Sequence, residues 1–64
     1  MLKVREIAEK QGYNIDRLSK KANISYDTVL KYWHDQVRRL DVKTLQKLAK
    51  ALDVSANDLV DLDE

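Results

Sequence analysis

The side chains that most often carry out chemistry in proteins are sparse in this sequence. A single histidine, His34, lies next to Asp35, and such a pair can supply a general base. A nucleophile is harder to find, because the chain has no cysteine and two of its three serines, Ser25 and Ser55, stand where helices are expected to begin. The sequence contains no glycine-rich phosphate loop and no metal-ligand spacing. We therefore predict no enzyme activity, no metal and no cofactor.

Charged side chains are unevenly distributed along the chain. The formal net charge is only +1, but residues 1–51 contain all 12 lysines and arginines and six acids, whereas residues 52–64 contain five acids and no base. A basic region can face the phosphates of a nucleic acid, and an acidic end can face water or a protein partner. The alternative is that both are ordinary solvated surfaces, as charge runs usually are.

Length and composition favour one small helical domain over residues 1–64. A chain of 64 residues is close to the lower limit for a core that no metal or disulfide supports. One glycine, no proline and periodic segments rich in leucine, lysine, alanine and glutamate indicate an all-α fold. No apolar run is long enough to span a membrane and no signal peptide is recognisable, so we expect a soluble, cytoplasmic protein.

Apolar periodicity and capping residues predict five helices. The fourth has the clearest stripe, with Leu45, Leu48, Ala49 and Leu52 at i, i+3, i+4 and i+7. Gly12 suits the left-handed residue that ends the first helix. The predicted helices run from about residue 2 to 11, from the cap Asn14 to about 23, from 26 to about 33, from about 42 to 52, and onward from Ser55, which forms a capping box with Asp58.

The segment between Asn14 and Trp33 predicts two short helices joined by very few residues. Leu18 and Ala22 share one face of the first helix, and Asn23 tolerates the left-handed backbone that ends it. Ser25 is the expected cap of the second helix. Two helices joined so tightly cross steeply, and one of them is presented outward. This is a helix-turn-helix pattern.

The order and spacing of several short motifs resemble the Cro/CI-type (XRE family, lambda-repressor-like) DNA-binding domains over nearly the whole chain. The matching features are the Gly12 turn, Leu18, the SxxTV run from Ser25 to Val29, TLxxLAxAL from Thr44 to Leu52, and VSxxDL from Val54 to Leu59. The resemblance implies a compact five-helix bundle that binds a double-stranded DNA operator. It also implies a sequence-specific transcriptional regulator, a repressor, of bacterial or phage origin.

In domains of this family the third helix enters the major groove, and its first turn meets the base edges. The core does not need Tyr26, Asp27, Thr28 or Lys31, so the resemblance implies that these four residues contact bases. Lys31 can donate to guanine or to a phosphate, Thr28 can touch a thymine methyl, and Asp27 can accept from cytosine. Asp27 has an equally good structural explanation, because an acid in the first turn of a helix interacts favourably with the helix dipole.

The loop after the third helix often follows the DNA backbone in this family, and phosphate contacts there contribute affinity rather than sequence recognition. Many members also open the second helix with a glutamine that contacts the backbone. This chain has Ile15 at that position, so other side chains must replace the contact. The expected phosphate-contacting residues are Asn14, Arg17, Lys20, Lys21, His34, Arg38 and Arg39.

A second departure from the family pattern concerns the core. Many members pair a glutamate near the end of the third helix with an arginine of the first, and the corresponding positions here are Trp33 and Ala8. We expect the aromatic side chain to pack against the small one, so Trp33 is interpreted as structural. Tyr32 is expected in the core, and Tyr13 is expected to be half-buried beside the first turn.

An alternative function is a protein-interaction or antitoxin-like module that keeps the fold with little or no DNA reading. The missing glutamine, an exposed Leu30 and the acidic C-terminal end favour it. Because one small domain reads few base pairs, we also expect a weak homodimer that forms mainly on DNA, through Val60, Leu62 and Ala56. No small-molecule ligand and no membrane contact are implied.

Overall fold

Four α-helices and one short 3-10 helix make up the computed structural model, which describes residues 2–60. These elements are α1 (Val4–Lys10), α2 (Ile15–Ala22), α3 (Tyr26–Trp33), α4 (Val42–Leu52) and the 3-10 helix Ala56–Leu59. Residues 2–60 contain no named strand, and the predicted all-α class is confirmed. A fifth α-helix is not confirmed.

The first helix begins later than predicted, at Val4 instead of about residue 2. Leu2 forms an isolated antiparallel bridge with Val60, and the backbone N–H of Lys3 donates to the carbonyl of Leu59 at 2.8 Å. The first N–H groups of a helix have no partner inside the helix. The backbone N–H of Lys3 therefore gains a hydrogen-bond partner at the far end of the domain. It would have none if α1 began one turn earlier.

The predicted fifth helix is a single 3-10 turn. Its capping box is present as predicted: Ser55 Oγ accepts from the N–H of Asp58 at 3.3 Å, and Asp58 Oδ2 accepts from the N–H of Ser55 at 3.2 Å. The turn stops because Val60 is extended and pairs with Leu2. Leu62, one of the residues expected at a dimer surface, lies outside the described residues.

The local signals around the helix-turn-helix are confirmed. Asn14 Oδ1 accepts from the N–H of Arg17 at 2.8 Å, so Asn14 caps α2. Asn23 ends α2 with a left-handed backbone at φ 59°, and Gly12 has φ 82° in the turn before it. A left-handed residue at the end of α2 reverses the chain sharply, which is why α3 begins only three residues after Asn23.

The core lies where the four α-helices and the 3-10 helix meet. Trp33 and Ala8 belong to the same buried cluster, Tyr32 is buried, and Tyr13 packs partly buried against it, as predicted. Each large apolar side chain there contributes roughly 1.5–3 kcal/mol by leaving water. Completely buried are Val4, Ala8, Leu18, Val29, Leu48, Leu52 and Leu59.

Candidate nucleic-acid interface

The outer face of α3 presents polar and charged side chains while its inner face is anchored in the core. Val29 and Trp33 are buried on the inner face. Tyr26 is 49% exposed, and Asp27 and Lys31 are exposed beside it. The structure therefore places three of the four residues expected to contact bases on accessible positions of one short helix.

Thr28, the fourth of these residues, is less accessible than the other three. It is half-buried, and its hydroxyl already has a hydrogen-bond partner. Ser25 Oγ accepts from the backbone N–H of Thr28 at 3.3 Å, and the two hydroxyl oxygens lie 2.8 Å apart. The Ser25 cap, predicted from the sequence, therefore holds both the backbone and the side chain of Thr28. The Thr28 methyl group remains the part that can meet a thymine methyl.

Leu30 differs from the sequence expectation. It was expected to be exposed, but it is half-buried at the side of α3. The exposed large apolar side chains among the described residues are Tyr26, Leu40 at 43% and Val42 at 65%. Leu40 and Val42 lie at the start of α4, next to the basic loop that links α3 to α4.

That loop is fixed to α3 by one buried phenol. The Tyr32 hydroxyl accepts a hydrogen bond from the backbone N–H of Asp41 at 3.1 Å, which bridges nine positions of the chain. Tyr32 is 4% exposed, so the anchor itself is packed within the core. The sequence predicted a buried Tyr32 but gave no sign of this bond.

A groove of about 580 Å³ separates α3 from the loop and the first turn of α4. It brings together Lys31 of α3 and Arg38 and Arg39 of the loop, which the sequence assigned separately to bases and to phosphates. Three positive charges along one groove favour an anionic ligand. The remaining lining residues are Thr28, Tyr32, Gln36, Val37, Asp41 and Thr44.

Sequence reasoning missed Gln36 and Thr44 as parts of this groove. Gln36 follows the end of α3, and its backbone N–H donates to the carbonyl of Lys31 at 2.8 Å, which turns the chain back toward the groove. Thr44 looked like an ordinary position in the first turn of α4. Gln36 and Thr44 are polar and lie close in sequence to the two arginines. That pattern alone does not distinguish residues that line a groove from ordinary solvated ones.

One acid lies within this basic groove. Thr44 Oγ1 donates to Asp41 Oδ2 at 2.7 Å, and this hydrogen bond is the main reason that the pKa of Asp41 lies below its ordinary value. Asp41 is therefore ionised at neutral pH. Its charge opposes the approach of a phosphate at one edge of the groove, which restricts where a DNA backbone can lie.

The residues of α2 that are expected to contact phosphates are less closely grouped than the cations that line the groove. Arg17 reaches back toward Gly12, donating from Nη1 to its carbonyl at 3.4 Å, and its guanidinium lies 6.0 Å from the Tyr13 ring centre. Lys20 pairs with Asp16 at 3.3 Å. Both cations are exposed and are held by weak contacts that a phosphate can displace.

Three further expectations concern Asn14, Lys21 and His34. Asn14 uses its side-chain oxygen as the cap of α2, and His34 is exposed at the C-terminal end of α3. Lys21 lines a different groove, with Lys47 and Lys50 of α4. Ile15 packs partly buried against the core, so it cannot take the role of the family's glutamine.

Neither a metal centre nor a membrane segment emerges from residues 2–60. No group of three or more histidine, cysteine, aspartate or glutamate side chains in that range is arranged to hold a metal ion. No helix in the described part of the chain is both long and apolar enough to cross a membrane.

Comparison with known proteins identifies the family. The model of the Cro/C1-type helix-turn-helix DNA-binding domain matches residues 3–64, which is nearly the whole chain. No curated protein and no solved structure gives a significant match. The matched range includes α2, the turn at Asn23 and the outward-facing α3. The chain therefore belongs to the family of Cro/C1-type helix-turn-helix DNA-binding domains.

Proposed function

We propose that this domain is a sequence-specific, double-stranded DNA-binding transcriptional regulator that acts as a repressor in the cytoplasm of a bacterium or of a phage-infected cell. The observation that carries the proposal is the groove shared by Lys31, Arg38 and Arg39, because it joins the outward face of α3 to the basic loop. Phosphate contacts from such a loop would fix the register and orientation of a helix in the major groove.

In this proposal α3 enters the major groove with its first turn against the bases. Tyr26 and Asp27 meet base edges there, and Lys31 reaches the next base pair one turn later. The methyl group of Thr28 packs against a thymine methyl. Arg38 and Arg39 contact the phosphates of one strand beside the major groove. Further phosphate contacts at the edges of the interface come from Asn14, Arg17, Lys20, Lys21 and His34.

We also propose a weak homodimer that forms mainly on DNA. Val60 and Ala56, the described residues expected at the dimer surface, pack partly buried against the domain's own core. Leu40 and Val42 are the more accessible apolar pair, and they lie beside the phosphate-contacting loop. The proposal requires that a two-fold contact there leave the two copies of α3 about one helical turn of DNA apart.

The test is a selection of binding sites from random duplexes, followed by salt titrations on the selected site and on random DNA. We expect a selected consensus, and an affinity for both DNAs that falls steeply with salt. Failure to enrich any sequence, together with salt-independent or absent binding, would contradict the proposal.

A protein-interaction or antitoxin-like function is the second candidate, and one observation favours it. Val42 is 65% exposed and Leu40 is 43% exposed, so the start of α4 offers two neighbouring apolar side chains to a protein partner. In that case substitution of Val42 would abolish partner binding while leaving any DNA binding intact, whereas Lys31→Ala would affect neither.

A further inference from the structure

We infer that the exposed face of α4 is a second phosphate-binding surface, which holds the DNA that flanks the operator half-site. The inference rests on the proposed function, and it adds a surface that neither α3 nor the loop supplies. We use the name lysine stripe for Lys43, Lys47 and Lys50 of α4 together with Lys21 of α2.

The three lysines of α4 lie on one face of the helix. Lys43, Lys47 and Lys50 are spaced i, i+4 and i+7, and all three are exposed. At about 1.5 Å of rise per residue, the row covers roughly 10 Å along the helix axis. The opposite face of α4 is buried through Leu45 and Leu48, so the helix cannot turn its lysines away from solvent.

None of these lysines forms an ion pair within the described part of the chain, although Lys43 is close enough to Asp41 to contribute to the lowered pKa of that carboxyl. Ion pairs among residues 2–60 join Arg5 to Glu9 and Lys20 to Asp16, and none includes a member of the lysine stripe. The sequence of α4 itself contains no acid. Like charges three and four positions apart repel each other and destabilise a helix, so an anion on this face would relieve a repulsion that the free domain retains.

The end of the lysine stripe that lies toward the C-terminus of α4 lines a groove rather than a flat surface. Lys21, Lys47 and Lys50 line a space of about 430 Å³ together with Ala22 and Ala51. Two alanines between the lysines leave room for a bulky group to approach the ammonium groups closely. Lysine ammonium groups act as compact point charges that bind phosphate without a fixed orientation, as a backbone contact requires.

The occupant follows from continuity with the proposed DNA interface. Thr44 lines the groove that contains Arg38 and Arg39, and Lys43 is its neighbour in the first turn of α4. Positive charge therefore continues from the loop to α4 past a single acid, Asp41, whose carboxylate accepts a hydrogen bond from Thr44. A DNA strand that contacts the two arginines meets the lysine stripe when the duplex extends or bends past the half-site.

The experiment compares the wild-type protein with Lys47→Ala/Lys50→Ala on two duplexes. One duplex contains only the selected operator, and the other extends it by about one helical turn on each side. Between 50 and 200 mM salt, the affinity of the wild type for the long duplex should fall about tenfold more than that of the double variant, since two phosphate contacts are lost. On the short duplex the two proteins should behave alike.

Two further variants separate phosphate binding from other effects. Lys10→Ala removes an exposed lysine from the last turn of α1 and should leave the length dependence unchanged. Lys47→Gln/Lys50→Gln removes only the charges, so it should reproduce the alanine result, and circular dichroism of both variants should show the wild-type helix content.

Several results would overturn the inference. An unchanged salt dependence on the long duplex would remove the stripe from the interface, and an equal loss on both duplexes or in Lys10→Ala would reveal a general charge effect. Binding of poly-glutamate that depends on Lys47 and Lys50, with DNA binding unaffected, would assign the stripe to an acidic protein. If the wild type bound no DNA at all, the proposed function would fail first, and the inference with it.

Discussion

The phenol oxygen of Tyr32 and the backbone N–H of Asp41 form a 3.1 Å hydrogen bond that ties the beginning of α4 to the proposed reading helix. The intervening loop contains Arg38 and Arg39, so this bond sets where the two guanidinium groups stand relative to Lys31. A buried side chain of the core thereby positions a loop on the surface.

Tyr32→Phe should therefore loosen the loop without emptying the core. Loss of one intramolecular hydrogen bond should lower the free energy of unfolding by about 0.5–1.5 kcal/mol. Affinity for operator and for random DNA should fall by similar factors, because the loop contacts phosphates rather than bases. Chemical denaturation and binding titrations measure the two effects. Tyr13→Phe is the control, and an identical response in both variants would contradict the positioning role.

Thr44→Val should raise the pKa of Asp41 toward its ordinary value, because the variant removes the hydroxyl that donates to the carboxylate. The folded-state pKa of Asp41 is lowered, so the stabilisation linked to its ionised form is present above the ordinary value of about 3.9. It is lost as the pH falls through the lower folded-state pKa. NMR titration of the Asp41 carboxyl carbon measures the shift.

Thr28→Val provides the matched control, since the Thr28 hydroxyl contacts Ser25 and not Asp41. The pKa of Asp41 should stay unchanged in that variant. Equal pKa values in the wild type and Thr44→Val would show that the Thr44 hydrogen bond is not its cause.

Arg38→Ala/Arg39→Ala should reduce affinity about equally for operator and random DNA. Each arginine that neutralises one phosphate contributes about 0.9 to the slope of log affinity against log salt, so the double variant should lose nearly two units. Arg5→Ala, which removes an exposed arginine of α1 paired with Glu9, serves as the control. A wild-type slope in the double variant would exclude both loop arginines from the interface.

Val42→Asp should abolish cooperative binding to a palindromic site while leaving the domain folded. Val42 is exposed and is the first residue of α4, where an acid interacts favourably with the helix dipole. Two copies of the new carboxylate would repel each other across a two-fold axis. Binding isotherms on one and two half-sites measure the loss. Asn57→Asp adds the same charge elsewhere, and cooperativity that survives in Val42→Asp would place the dimer contact on another surface.

Local chemistry made much of this fold predictable. Asn14, Ser25 and Ser55 cap helices as their residue types indicated, and Asn23 adopts the left-handed conformation that lets α3 follow α2 so closely. These features depend on hydrogen bonds over three or four residues, which a sequence displays directly.

The features that the sequence did not reveal depend on contacts between distant residues. The start of α1 is set by the pairing of Leu2 with Val60, and the groove beside α3 is shaped by the bond between Tyr32 and Asp41. Thr44 belongs to the candidate site because it lines the same groove as Tyr32 and Asp41. No pattern of spacing encodes such pairings, because they depend on how the loops close.

Base reading by α3 is best tested by the DNA specificity of Lys31→Ala. The measurement is the ratio of dissociation constants for random DNA and for the selected operator, at one fixed salt concentration. Loss of a base contact should weaken operator binding by about 1–3 kcal/mol, or roughly 5- to 150-fold, with a much smaller effect on random DNA. The ratio should therefore fall. A ratio equal to that of the wild type would contradict base reading by Lys31 and the proposed role of α3.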